Sequence, residues 1–503
     1  MTTRTEASTA ADAGRLCVWL VTAWLAARGA TDPDLWGHLR FGLDALSTGR
    51  LTSADPYSFT QDVPWINHEW LSEVLFAGAY RAGGVLGLVA LKTTILVAVA
   101  YLLASLTRQV DVRLRWWLLA VALVGLGPVA GTFRPQLWTI LGLALLCRVL
   151  ATGASLAWLL LIFPLWANLH GGWIVGVGLV GLWTVGRLID ARSARSVAPL
   201  VLVLAAALAS TALNPYGWRL WEFLLGTVRM SRNVSEWRPL WQQPDISHSV
   251  LWVLIAAVVL ASAGTRWRRL TWSALLPVAW LGVSSLFVDR LVPFFGEISL
   301  LLTAVAWKQD RTVRSVRLQA DLASPATAGR DEDGPAKAGH YGDSNRWAVD
   351  AALVSFIWVS GVYSAARCLP IAGPWAPDVM AASLLASPDA RGRLVLPFDW
   401  GEYALWHFGP RLRVSMDGRR ETIYSEETVA LQSAVARGLP EGLAYLKRER
   451  PEYVWLPTET GAAVAGWLGQ NGYRIADNGT SFVAQRTDLP PLASGPPMSR
   501  CFP

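Results

Sequence analysis

Charged residues are scarce in this sequence. Lys, Arg, Asp and Glu make up 16% of the 503 residues, whereas hydrophobic residues make up 53%. Soluble domains carry roughly a quarter charged residues, so the composition excludes an ordinary water-soluble protein. The formal net charge of +7 is not evidence for nucleic-acid binding, because excess Arg and Lys in a membrane protein mark its cytoplasmic loops.

Cysteine is also rare, with four residues in the chain. No two of them have the spacing of metal ligands, so they give no indication of a zinc site. Cys17 and Cys147 fall in apolar runs and are predicted to be buried small side chains. Cys368 and Cys501 are both in the C-terminal part. They can form a disulfide if that part faces an oxidising compartment.

Long apolar runs are abundant over the first 370 residues and predict about eleven membrane-spanning helices. They cover approximately residues 15–30, 83–106, 116–131, 137–151, 155–168, 172–189, 197–213, 249–264, 271–288, 291–307 and 347–367. Several are shorter than the ~20 residues that a bilayer requires, so their number is approximate. The predicted fold class is an α-helical polytopic membrane protein with a soluble α/β domain near its C-terminus.

The arginines predict the orientation of the chain. With the N-terminus in the cytoplasm, short arginine-rich connections fall on the inner side, as the positive-inside rule requires. The inner arginines are Arg108, Arg113, Arg115, Arg148, Arg187, Arg192, Arg195, Arg266, Arg268 and Arg269. The outer connections also carry arginines, namely Arg40, Arg134, Arg219, Arg229, Arg232, Arg238 and Arg290. In this orientation the C-terminal domain is extracytoplasmic.

The outer connections contain unusual polar residues beside Trp, Pro and Gly. They read TDPDLWGHLR, WINHEWLSE, TFRPQLW, WANLHGGW, NPYGWRLWE, NVSEWRPLW and FVDRLVPFF. A membrane interface explains Trp and Arg, but it does not explain the repeated Asp, Glu, His and Asn. Because a helix bundle brings distant loops together at one end, we interpret these residues as one site. The alternative is that the outer loops are merely polar and rich in Trp.

The first outer connection, about residues 31–82, is predicted to contain two short amphipathic helices. Asp32 or Asp34 caps the first helix. Gly49 ends that helix, and Asn67 begins the second. Both helices are too short to span a bilayer and should lie along the interface. One Asp is enough for a cap, so the second carboxylate of the pair is available for chemistry.

An acidic pair directly after the first span, followed by interfacial helices, resembles the integral-membrane glycosyltransferases of the C-type fold. That group includes oligosaccharyltransferases, protein mannosyltransferases and aminoarabinose transferases. The motifs DPDLWGHL, NHEWL, RPQLW, WANLHGG and NPYG are similar to those of a bacterial family of glycosyltransferase-like membrane proteins, over roughly residues 15–310. Relatives usually have two adjacent acidic residues, whereas Pro33 separates the pair here.

The resemblance implies inverting transfer of a hexosyl or pentosyl group from a polyprenyl-phosphate donor. The acceptor hydroxyl would attack at the outer face of the bacterial inner membrane. Asp32 is the predicted general base, and Asp34 is the second candidate or its partner. Positive charge should surround the phosphate leaving group, and the candidates for it are Arg134, His170 and Arg238.

The other predicted substrate-binding residues are His38, His68, Glu69, Lys92, Asn214 and Glu236. Lys92 lies about two turns inside a span, where an ionisable residue is functional by default; the alternative is snorkelling to the outer face. Oxygen and nitrogen ligands for a divalent metal are available from Asp32, Asp34, His68 and Glu69. Relatives of the fold differ in metal use, so no cofactor is assigned. The expected partners are the donor, membrane lipids and a glycan, lipid or protein acceptor, with no nucleic acid.

The chain is predicted to divide into a membrane domain, a linker, a last span and a small folded domain. The boundaries are 1–308 for the membrane domain, 309–346 for a flexible cytoplasmic linker, 347–367 for the last transmembrane helix, 369–490 for the α/β domain and 491–503 for a disordered tail. GRLVLPF, RLRVSMD and EYVWLP predict strands, and EETVALQSAVARG and EGLAYLKRE predict helices. A hairpin is expected at Asn478-Gly479. The clusters FDWGEYALWHF and MDGRRE are expected to pack at strand ends, with acceptor contact as the alternative.

Two other functions remain open. A transporter or lipid flippase needs polar groups deep in the bundle or helices broken at mid-membrane, and apart from Lys92 the spans are predicted to be apolar. A non-catalytic membrane scaffold with an extracytoplasmic interaction domain does not need converging acidic and basic loops. The deciding observation is whether one outward cavity is lined by Asp32, Arg134, His170 and Glu236.

Overall fold

The computed structural model describes residues 2–52, 54–229, 235–307, 344–373 and 375–503. Residues 309–343 of the predicted linker, and Arg232 of the outer arginines, lie outside the described residues. In chain order the helices are α1 (Thr2–Ala27), α2 (Leu35–Thr48), α3 (Trp70–Leu106), α4 (Val112–Gly125), α5 (Gly127–Ala130), α6 (Gln136–Thr152), α7 (Leu159–Leu169), α8 (Trp173–Ala191), α9 (Ala194–Ser210), α10 (Arg219–Arg229), α11 (Ser247–Gly264), α12 (Trp272–Phe287), α13 (Val292–Ala306), α14 (Ser344–Arg367), α15 (Val379–Leu385), α16 (Phe398–His407), α17 (Glu426–Arg437), α18 (Pro440–Glu449) and α19 (Thr458–Gln470).

The first thirteen helices and α14 form an apolar bundle. Three helical stretches in the described part of the chain are long and apolar enough to cross a membrane, namely Trp70–Gln109, Trp173–Ala191 and Ser247–Gly264. Shorter apolar helices of 10–17 residues accompany them. A mostly helical membrane protein is therefore confirmed in outline. The number of about eleven spans stays a prediction, because several of these helices are shorter than a bilayer requires.

Helix α13 lies in the centre of the bundle. Its sequence, VPFFGEISLLLTAVA, is apolar around most of its circumference, and all its residues except Val305 are buried. A helix that is hydrophobic on every face is buried on every face. The exception in its sequence is Glu297, whose carboxyl is fully buried and has no hydrogen-bond partner among the described residues. The expectation that Lys92 is the one ionisable group within the spans is therefore wrong.

The two amphipathic helices of the first outer connection are present. Helix α2 ends at Gly49, whose φ of 67° is the left-handed conformation that suits glycine. Asp34 occupies the cap position, without a side-chain cap bond of its own. The side chain of Asp32 accepts the backbone N–H of Asp34 at 3.1 Å, so the acidic pair does stand at the start of α2 as predicted.

The second amphipathic helix is the first part of α3. It begins at Trp70 with Glu69 at the cap position, so the predicted cap residue, Asn67, lies two residues before the observed one. Asn67 contributes all the same, because its Oδ1 accepts the backbone N–H of Glu69 at 3.2 Å. Gly83 and Gly84 have non-helical dihedral angles. They separate the amphipathic part of α3 from the part that is apolar enough to span.

The C-terminal part contains a five-stranded sheet of order β2-β1-β3-β5-β4. Its strands are β1 (Gly392–Val395), β2 (Leu412–Val414), β3 (Tyr453–Pro457), β4 (Tyr473–Asp477) and β5 (Ser481–Arg486). β1 pairs in parallel with β2 and β3, whereas β5 pairs antiparallel with β3 and β4. The predicted strands, the hairpin and the helices α17 and α18 are all present. Helices α15, α16 and α19 were not predicted.

The predicted disordered tail is instead packed onto the domain. Phe502 is 4% exposed and contacts Trp36 of α2, with 5.3 Å between ring centroids. Cys501 forms a disulfide with Cys368, as the sequence allowed. The prediction of disorder was wrong because it rested on the Pro- and Gly-rich composition. That composition does not reveal that Phe502 packs against Trp36 or that Cys501 bonds to Cys368.

The first outer connection and the C-terminal domain form one continuous structure. Val414 of β2 donates to the carbonyl of Tyr57 at 3.0 Å and accepts from Phe59 at 3.1 Å, so this connection extends the edge of the sheet. Arg419 forms a two-fold hydrogen bond with Asp55, with both N–O distances 3.0 Å, and also pairs with Asp417. These groups are buried. A buried ion pair offsets the cost of leaving water only when its charged groups are well aligned and fully hydrogen-bonded.

Candidate functional site

The site is centred on Arg134, which precedes α6. Its Nε lies 2.8 Å from Asp32 Oδ2, and its Nη2 lies 3.1 Å from Asp34 Oδ2. Its Nη1 lies 3.4 Å from an oxygen of Glu236. Three carboxylates therefore lie within 3.4 Å of the guanidinium nitrogens, and Nη1 and Nη2 donate hydrogen bonds to Glu236 and Asp34. The structure therefore brings together four of the residues that the sequence analysis selected.

A second arginine, Arg290, continues the network. Its Nη1 lies 2.5 Å from the other oxygen of Glu236. With its amide oxygen oriented toward Arg290, Gln136 accepts from Nε at 3.1 Å. The indole of Trp237 lies under the same guanidinium at 5.6 Å. Glu236 thus joins two arginines, one before α6 and one before α13. Arg290 was noted in an outer connection but was not selected as a site residue.

Asp34 is the more accessible member of the acidic pair. Its side chain is 30% exposed, whereas that of Asp32 is 9% exposed. Burial raises the pKa of Asp34 to about 7, against the effect of Arg134 and together with the repulsion from Asp32. The main cause is the removal of this carboxylate from water, and the nearby negative charges of Asp32 and Glu236 add to it.

The C-terminal domain provides one wall of the site. Glu402 of α16 is 3% exposed, and its Oε2 accepts the backbone N–H of Gly37 at 3.1 Å. Burial, with repulsion from Asp34, raises the pKa of Glu402 well above its ordinary value. Gly418, in the segment MDGRRE, lies so close that a Cβ there would be 2.5 Å from Asp34 Oδ1 and 2.8 Å from Glu402 Oε1. Glycine is required at this approach because a side chain has no space.

Glu69 forms a second group with two histidines. Its Oε1 lies 3.5 Å from His68 Nε2 and 3.6 Å from His170 Nε2. Although burial opposes it, the nearby His68 holds the pKa of Glu69 well below its ordinary value. His38, on α2, lies 3.6 Å from Glu73. Burial lowers the pKa of His38, but the neighbouring carboxylates of Glu73 and Glu69 outweigh it, so that the pKa is raised.

His170 is a neutral side chain in this arrangement. Burial lowers its pKa to about 3. Its Nδ1 accepts the backbone N–H of Gly172 at 3.1 Å, so the ring proton is on Nε2 and points toward Glu69. These surroundings disfavour the positive charge that was predicted for His170. Gly172 is needed for packing, because a Cβ there would collide with Thr139 Oγ1 and lie 2.9 Å from His170 Nδ1.

Three of the selected residues lie outside both the arginine network and the contacts of the histidines with Glu69 and Glu73. The ammonium of Lys92 is buried and donates to the backbone carbonyls of Arg28 and Ala130, which closes the ends of α1 and α5. Asn214 donates to the carbonyl of Thr211 at 2.7 Å and shapes a local turn. Arg238 is exposed and forms none of the ion pairs described for Arg134 and Arg290.

The proposed metal ligands do not form one set. The acidic pair Asp32 and Asp34 is held by Arg134, whereas His68 and Glu69 belong to the second group. In the described ranges, no three His, Cys, Asp or Glu side chains are grouped as metal ligands.

Comparison with known proteins defines the class by its fold. No protein family matches the chain, and no curated protein matches its sequence. Solved structures do match, and they are polytopic membrane glycosyltransferases of the C-type fold, which use lipid-linked sugars. The predicted resemblance is confirmed at the level of the fold.

Two of these structures show how far the similarity reaches. One is the apo oligosaccharyltransferase of Archaeoglobus fulgidus, with a TM-score of 0.53 and 13% identity over 94% of this chain and 74% of that one. The other is ArnT from Cupriavidus metallidurans bound to undecaprenyl phosphate, with a TM-score of 0.52 and 13% identity over 94% of this chain and 97% of that one. At this identity the likeness concerns the fold alone.

Proposed function

We propose that the chain is a membrane glycosyltransferase that moves a sugar from a polyprenyl-phosphate donor to an acceptor hydroxyl, with inversion, at the extracytoplasmic face. The observation that carries this proposal is the network in which Arg134 and Arg290 join Asp34, Asp32 and Glu236 at one end of the bundle. The match to ArnT bound to undecaprenyl phosphate supports the donor class. A scaffold needs neither the network nor the buried carboxyl of Glu402 beside it.

Asp34 is the general base in this proposal, and Asp32 is its partner. Asp34 has the more accessible carboxylate. Its pKa of about 7 lies near neutral pH, where a general base is most effective. Asp32 is more buried and holds the backbone amide of Asp34 at 3.1 Å. This order reverses the preference drawn from the sequence, because the sequence does not show which member of the pair is exposed.

Arg290 is the main cation for the leaving phosphate. Arg134 lies within 3.4 Å of three carboxylates, so its role is to hold these carboxylates in position. Arg290 pairs with one carboxylate and one neutral amide, so its positive charge is less compensated and is the one available to a phosphate. The N-termini of α6 and α13 begin next to these arginines and add the positive ends of two helix dipoles.

The test is a transfer assay in membranes that lack the native protein. Asp34→Asn keeps the size of the side chain but cannot take up the acceptor proton, and loss of a general base costs about 10²–10⁴-fold in rate. Asp245→Asn is the matched control, because Asp245 is exposed, lies just before α11, and bonds with Ser247 outside the network. Full activity of both Asp34→Asn and Asp32→Asn would contradict the proposed role of the pair.

A further inference from the structure

A cleft of about 650 Å³ lies at the other end of the bundle. Arg134, His170 and Arg290 precede the first turns of α6, α8 and α13, whereas the cleft is lined by residues near the last turns of the same helices. A helix rises about 1.5 Å per residue, so some 14 residues of α6 place the cleft about 20 Å from the candidate site. The cleft is therefore a separate feature.

Most of the residues that line the cleft are apolar. Five helices contribute to it, and the large apolar side chains are Val149, Leu150, Leu156, Trp183, Leu200 and Val305. Trp183 is 8% exposed and Leu200 is 6% exposed, so these side chains are held by the bundle. A volume of roughly 300–1,000 Å³ is typical of ligand sites in proteins.

Two arginines stand at the polar side of the cleft. Arg187 is near the end of α8, and Arg269 is in the connection between α11 and α12; both are exposed. Asp190, one turn after Arg187, binds the backbone at the start of α12. Its two oxygens accept the backbone N–H groups of Trp272 at 2.9 Å and Ser273 at 3.1 Å. Asp190 thus caps α12, and the cleft has an excess of positive charge.

We propose that this cleft binds one anionic phospholipid of the adjoining leaflet, with its phosphate at Arg187 and Arg269 and an acyl chain along the apolar walls. The two features of the cleft match the two parts of such a lipid. Basic pockets between membrane helices on the cytoplasmic side bind acidic lipid headgroups, and this end of the bundle carries the arginine-rich connections. Lipid binding here is independent of sugar transfer, so each can fail without the other.

The test is native mass spectrometry of the full chain in a neutral detergent, titrated with phosphatidylglycerol or phosphatidylcholine. Wild-type protein should retain one phosphatidylglycerol and discriminate against phosphatidylcholine. Two interfacial cations contribute about 30-fold in affinity, so Arg187→Gln/Arg269→Gln should weaken phosphatidylglycerol binding by about that factor. The matched control is Arg266→Gln/Arg268→Gln, which removes the same charge from the same end. Arg266 and Arg268 lie over Trp307 and Trp267 and do not line the cleft.

A second variant tests the walls without changing charge. Ala151→Trp fills the cleft and should also reduce phosphatidylglycerol binding, while the thermal unfolding midpoint reports that the bundle is intact. Equal phosphatidylglycerol affinity in the Arg187/Arg269 variant and its control would overturn the proposal. So would equal binding of the two lipids to the wild-type protein. Displacement of the lipid by glycerol phosphate alone would show a phosphate site without an acyl-chain site, and would likewise overturn it.

Discussion

Replacement of Gly418 by alanine should disable the site while leaving the fold intact. A Cβ at this position would lie 2.5 Å from Asp34 Oδ1 and 2.8 Å from Glu402 Oε1, and contacts between such atoms are ordinarily above about 3.4 Å. The two carboxyl groups must therefore move by more than half an ångström, or the segment MDGRRE must withdraw. Glu402 cannot move freely, because it accepts the Gly37 amide. Asp34 is the group that is displaced.

A displacement of this size has a known order of magnitude in catalysis. Misplacement of a catalytic group by about 1 Å costs about 10²-fold in rate, so Gly418→Ala should lower kcat by about that factor. The assay is sugar transfer by the purified chain, with the thermal unfolding midpoint measured on the same sample. Gly466→Ala is the control, because a Cβ at Gly466, in α19, meets no atom within 4 Å. Full transfer activity of Gly418→Ala at an unchanged unfolding midpoint would refute the placement of Asp34 at the reacting centre.

Three further results are expected. A base acts when deprotonated, and the pKa of Asp34 is raised to about 7; kcat/KM should therefore rise with pH up to about 7 and level off above it, and a flat profile between pH 5 and 9 would contradict this. Glu297→Met should leave the unfolding midpoint unchanged or raise it, because a lone buried carboxyl is costly; a loss of transfer with an intact fold would instead show that Glu297 has a function. A reporter that is active only outside the cytoplasm should be active when fused after Pro503 and inactive after Arg269, and the opposite pattern would reverse the orientation.

The strands, the hairpin and the end of α2 could be predicted because the sequence patterns that specify them are local. The hairpin at Asn478-Gly479 and the end of α2 at Gly49 follow from turn and cap preferences of neighbouring residues. The grouping of Asp32, Arg134 and Glu236 followed from the expectation that polar outer loops converge. The first two predictions needed only neighbouring residues, and the third needed only the topology of a helix bundle.

The details of the site could not be predicted because they depend on packing between distant elements. The pairing of Arg290 with Glu236 and the approach of Gly418 to Asp34 join segments that are far apart in the chain. The neutral state of His170 depends on its burial and on the Gly172 amide. The clusters that contain Glu402 and Gly418 were recognised as polar, but the sequence gives no distance between them and the acidic pair.

The most direct test of the proposed chemistry is a structure of the full chain with undecaprenyl phosphate bound. We expect the phosphate within about 3 Å of the Arg290 guanidinium, the distance of a charge-assisted hydrogen bond, on the side where Asp34 is exposed. A bound polyprenyl phosphate with no phosphate oxygen near Arg290, and with the Arg290 network unchanged, would contradict the account.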